Sequence, residues 1–183
     1  MSSSTALPLE QDTAPEQIVA GLVARARKAM AAFAEADQAR VDEAVTALAW
    51  SLYRPDRAKS LAERAVKDTG LGNVESKITK NQRKTFGTLR DLLRAKTVGV
   101  IGEDRAKGIV EYAKPVGVVA AITPSTNPSA TPVNKAMMAV KGRNAVIIAP
   151  SPAASGVTGT SSANTRATTP RAPTPPPVSS IIE

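Results

Sequence analysis

The strongest constraint on this chain is a pair of apolar runs with a helical stretch between them. Residues 116–122 read VGVVAAI and residues 145–149 read AVIIA, with almost no polar residue in either. Continuous runs of this kind suit strands buried on both faces of a parallel sheet. Between them, residues 123–128 form a turn rich in Pro, Ser and Asn, and residues 129–141 read as a helix stopped by Gly142. Strand, helix and strand in this order predict one βαβ unit with a right-handed crossover, and hence an α/β fold.

Upstream, the period changes to that of helices. In residues 16–36 an apolar stripe falls at Ile18, Val19, Leu22, Val23, Ala26, Met30 and Phe33, with Pro15 at the first turn. Asp37 is the expected N-cap of a second helix burying Val41, Val45, Leu48 and Leu52, which Pro55 ends. A third helix spans 56–69, with Gly70 as its cap. A fourth spans 74–94, with Ile78, Phe86, Leu89, Leu92 and Leu93 as the expected buried set. Residues 97–101 and 109–113 read as two short strands around a polar turn at 102–108. Such a hairpin is barely stable alone and is expected to add to another sheet or subunit.

Composition excludes several chemistries. The chain has neither Cys nor His, so it offers no thiolate, no Ser-His pair and no Cys/His zinc site. Cysteine absence fits a reducing, cytoplasmic setting. No run is long and apolar enough for a membrane helix, and no membrane partner is expected. The formal charge is +8, concentrated in residues 54–107, where basic residues outnumber acidic ones 14 to 7. A basic face attracts phosphorylated cofactors or nucleic acid. Residues 1–15 read as a disordered leader, and residues 155–183, dense in Ser, Thr and Pro, as a disordered tail.

Three joined motifs, KPVGVV, ITPSTNP and KGRNAVIIAPSP, lie within residues 114–154, and AVKDTGLGNVESKITKN occupies residues 65–81. Together they resemble the start of the cofactor domain in acylating aldehyde dehydrogenases, the branch that makes acyl-CoA. The resemblance covers about residues 15–154. It implies amino-terminal helices, a β-hairpin flap used in homo-oligomers, and the first βαβ of a Rossmann-like NAD(P)-binding domain. NAD or NADP, CoA and a small-molecule aldehyde are the implied cofactors and substrates, and nucleic acid is not among the expected partners. The family's Cys nucleophile would lie further along than residue 154.

By the same resemblance, Asn127 matches the Asn whose amide stabilises the thiohemiacetal oxyanion. Ile122, Thr123, Pro124 and Ser125 match the turn lining the nicotinamide side of the cofactor. Ser151 stands where many relatives place a Lys against the adenosine ribose. Read without the family, Asn127 is a helix start before Pro128, Ser125 is a turn residue, and Ser151 is a loop residue between two prolines. The basic helices are first a solvated face. Two other readings are a nucleic-acid-binding module and a helical interaction fragment that joins intact subunits through the hairpin. The compositional break near Ala154 predicts a shift of reading frame in a G+C-rich gene, and two native strands alone predict a poorly packed cofactor region.

Overall fold

The structure, a computed structural model, describes residues 14–158. Among the described residues the elements are α1 (Pro15–Ala32), α2 (Gln38–Tyr53), α3 (Pro55–Thr69), α4 (Val74–Leu93), β1 (Gly99–Asp104), β2 (Ile109–Ala113), β3 (Val118–Thr123), α5 (Ala130–Lys141) and β4 (Ala145–Pro150). A single 3-10 turn, Pro152–Ala154, follows.

Local chemistry explains the helix boundaries. Asp37 caps α2 by accepting the Arg40 N–H at 2.8 Å, and Asn73 caps α4 by accepting the Ser76 N–H at 2.8 Å. Pro55 opens α3, where its missing N–H costs nothing, and Gly70 closes it in the left-handed region at φ 66°. The core lies where α2 meets α3, α4 and α5. Val41, Val45, Leu48, Ala49 and Leu52 of α2 pack with Leu61 and Ala65, Leu89, and Ala130, Val133, Ala136 and Met137. All four α2 residues expected from the 3.6-residue period are buried.

Strands β1 and β2 form an antiparallel hairpin with a register shift between Val100 and Gly102. Strands β3 and β4 pair in parallel, from Val118 opposite Ala145 to Thr123 opposite Pro150. The βαβ unit expected from the two apolar runs is therefore present, with α5 as its helix.

Several expectations need correction. Helix α1 ends at Ala32, and none of its residues is fully buried: Leu22, Val23, Ala26 and Met30 are half-covered, and the helix packs on β3 and β4. In α4 the expected apolar set yields only Leu89; the other buried positions are Lys77, Asn81 and Thr85. That helix faces the polar backbone of a turn as well as the core. Strand β1 begins two residues later than expected and runs to Asp104, since its bulge carries the ladder into the expected loop. Strands β3 and β4 are not buried on both faces. Two strands give too little surface for the helices to cover, so Ile122 is 75% exposed. The expected tail from residue 155 starts too early, because Val157 and Thr158 are buried against the core. Residues 1–13 and 159–183, where the rest of the leader and tail fall, lie outside the described residues.

The KGRN segment works as a joint. Arg143 sits at φ 56° and donates to the carbonyls of Ala34 at 2.6 Å and Ala113 at 3.3 Å, linking the exit of α1 to the hairpin. Asn144 Oδ1 accepts the N–H groups of Val116 (2.7 Å) and Gly117 (3.0 Å) and so sets the approach to β3. Asn144→Ala leaves both donors to water and is expected to cost about 0.5–1.5 kcal/mol, since the Val116 bond is exposed and the Gly117 bond only partly buried. Hydrogen exchange checks this: the Val116 and Gly117 amides should lose protection, whereas Asn144→Asp, which keeps the acceptor oxygen, should retain it.

Candidate functional site

In open parallel sheets, ligands bind beyond the carboxyl ends of the strands. Here that edge is made by the turn at residues 124–129 after β3 and by Ser151 after β4. The two are joined directly: the Ser151 N–H donates to the Thr123 carbonyl at 3.0 Å. Residues 22 or more positions apart in sequence are thus brought to one edge.

Asn127 is half-buried in the turn before α5, and its carbonyl accepts the Thr131 N–H at 3.2 Å. The helix-start reading sets the boundary too early, because α5 begins at Ala130 with Ser129 as its N-cap. Among the described residues, no hydrogen bond engages its side-chain amide. Backbone and side chain are free to do different work.

The other expected residues divide by exposure. Ile122 and Pro124 are exposed at the edge, and Ser125 and Ser151 are half-buried there. Thr123 differs. Its side chain is buried, with Oγ1 3.5 Å from the Ala149 carbonyl, so it serves the strand pair more than the open edge. Lys135 Nζ donates to the Ile122 carbonyl at 2.6 Å from α5.

A ring of supports surrounds the Asn127 turn. Lys77 Nζ donates to the Thr126 carbonyl at 3.1 Å. The Ser129 hydroxyl donates to Asn81 Oδ1 at 2.6 Å, and Asn81 Nδ2 donates to the Ala58 carbonyl at 3.0 Å. Thr158 Oγ1 donates to the Pro128 carbonyl at 3.1 Å. Burial holds the Lys77 ammonium below the ordinary lysine range, and the nearby charge of Lys80 pushes the same way. Lys77 forms no ion pair among the described residues.

Sequence reasoning missed Lys77, Asn81 and Thr158. The first two had a visible signal, since Lys77, Asn81 and Thr85 recur at four-residue spacing on a helix. A stripe search keyed to apolar residues passes over such a row. Thr158 lay in the stretch read as tail.

A nicotinamide nucleotide suits this edge in part. The exposed Ile122 side chain offers an apolar floor, and the Asn127 amide is an uncommitted neutral donor. Among the described residues, no cluster of Asp, Glu, His or Cys could hold a metal ion, and no helix is long and apolar enough to cross a membrane.

Comparison with known proteins places this geometry in context. The sequence profile of the aldehyde dehydrogenase family matches residues 9–169, past the break read at Ala154. An acylating sulfoacetaldehyde dehydrogenase of Cupriavidus necator is 60% identical over 149 residues, covering 81% of this chain and 30% of the relative. Its counterpart in Bilophila wadsworthia is 50% identical, covering 69% of this chain and 27% of the relative. The crystal structure of an acetylating aldehyde dehydrogenase from Geobacillus thermoglucosidasius superposes with a TM-score of 0.80 at 36% identity, covering 87% of this chain and 35% of that one. The chain thus spans about a third of the length of these three relatives.

Proposed function

The chain belongs to the aldehyde dehydrogenase family, and from that premise we propose that it supplies the oxyanion-binding turn and part of the nucleotide floor of an acylating aldehyde dehydrogenase. The overall reaction is aldehyde, CoA and NAD(P)+ to acyl-CoA, NAD(P)H and a proton. The observation that carries this reading is the uncommitted Asn127 amide at the carboxyl edge of β3 and β4. A neutral amide suits an oxyanion because it donates without carrying a charge that must be buried, and it can be held in place beforehand by the turn that carries it. Ile122, Pro124, Ser125 and Ser151 would hold the nucleotide, with Thr123 bracing the strand ends. The nicotinamide, when bound, accepts hydride from the substrate carbon.

None of the 183 residues is a cysteine, so none supplies the thiol that attacks the aldehyde. An oxyanion donor without a nucleophile gives no covalent route. The aldehyde is proposed to be sulfoacetaldehyde or a close relative, on the names and identities of the two sulfoacetaldehyde dehydrogenases. The exposed hairpin of β1 and β2 is proposed as the flap through which copies of the complete enzyme associate, and the cytoplasm, where NAD(P) and CoA are pooled, as the setting.

Calorimetry with NADH, NADPH and CoA on the purified chain, beside an acyl-CoA reductase assay, tests this. The expected result is weak nucleotide binding, with Kd on the order of 0.1–1 mM, and no turnover. Turnover would overturn the proposed division of labour, and no nucleotide binding would overturn the floor.

A further inference from the structure

Helix α4 buries polar side chains along a row where apolar ones are the rule. Lys77, Asn81 and Thr85 are only 6%, 1% and 0% exposed. Burying a lysine without an acidic partner is costly, and a methionine of similar length would pack there without that cost. Packing alone therefore does not account for the row.

Two of its members act on one target. Lys77 grips the carbonyl of Thr126, the residue before Asn127. Asn81 accepts from the hydroxyl of Ser129, two residues after Asn127. Asn81 is itself held by the Ala58 carbonyl of α3, so the grip is anchored in the helical core. We propose that Lys77 and Asn81 are positioning residues for Asn127, clamping the turn on both sides so that the Asn127 backbone is held in one conformation at the carboxyl edge.

The inference rests on the oxyanion role proposed for Asn127, because only a preorganised donor gains from a clamp. The turn at residues 124–129 has no strand partner of its own, and a misplacement of about 1 Å at such a group can cost about 100-fold in rate. The clamp replaces the missing ladder with three side-chain bonds, the third being Thr158 to Pro128.

Backbone dynamics of the 15N-labelled 183-residue chain, without nucleotide, test the clamp. In Lys77→Met, which keeps the length but removes the donor, the amide order parameters at Thr126, Asn127 and Ser129 should fall from about 0.85 to below about 0.6. Amides of α2 should stay rigid. Lys77→Arg, which keeps a charged donor, should restore the order. Ser129→Ala, which deletes one hydroxyl, should loosen the same residues and serves if Lys77→Met does not fold. An unchanged turn in the folded variants would overturn the proposal, as would loosening spread evenly over α4 and α5. Because nucleotide is absent from this measurement, failure of the chain to bind NADH would count against the functional reading alone.

Discussion

Leu52→Ala is expected to remove most of the cooperativity with which this chain unfolds. Leu52 is fully buried, on the helix that every other core helix touches. Truncating a buried leucine removes the transfer energy of its methyl and methylene groups and leaves a cavity that rigid neighbours fill poorly. The usual cost is about 2–5 kcal/mol. Total stability for a domain of ordinary size is about 5–15 kcal/mol, and two half-covered strands place this chain toward the lower end. Urea unfolding followed by circular dichroism should show the midpoint shifted far down or the transition broadened. Leu71→Ala is the control. Leu71 is 42% exposed in the turn between α3 and α4, outside the core, and its loss should change stability by no more than about 0.5 kcal/mol. A Leu52→Ala cost below about 1 kcal/mol would mean that the α2 core is not packed as described.

Asp42→Ala should be nearly as damaging, for an electrostatic reason. Lys141, at the end of α5, is 2% exposed and pairs with Asp42 of α2, which keeps partial contact with solvent. Removing the carboxylate strands an ammonium in the interior, at a cost of up to about 3–5 kcal/mol for a fully buried pair. Because Asp42 is partly exposed, water can enter in its place, and about 2–3 kcal/mol is expected. The same carboxylate accepts from Gln38, whose amide oxygen accepts the Thr97 N–H, so the hairpin should loosen too. The double variant Asp42→Ala/Lys141→Met should recover most of the loss, since it removes the stranded charge. Equal stability of single and double variants would show that the cost lies in lost packing and not in the buried charge.

The two predictions rest on different grades of sequence information. Leu52 follows from periodicity, because an amphipathic helix needs only its own spacing to declare its buried face. Lys141 reads as an ordinary basic residue near a helix C-terminus. That it is buried and paired with a residue on α2, far upstream in the chain, depends on how α2 and α5 pack.

The candidate site divides in the same way. ITPSTNP placed Asn127, Pro124 and Ser125 in a turn after a strand, and the structure has that turn at the carboxyl end of β3. Ser151 reads as a loop residue until the parallel pairing of β3 and β4 brings its N–H to the Thr123 carbonyl. Thr123 belongs to the motif by position, yet its side chain turns inward, an alternation set by the strand pleat.

What the sequence by itself determined is what depends on neighbours along the chain: the α2 face, the caps at Asp37 and Asn73, the stop at Gly70, and the order of strand, helix and strand that makes a parallel pair. Tertiary structure alone decided the burial of the polar row of α4, the half-covered stripe of α1 and the packing of Val157 and Thr158. Local pattern records which face of a helix is set apart, but what covers that face is decided by segments distant in sequence. A buried lysine is therefore recognised only once the carbonyl it grips has been brought to it.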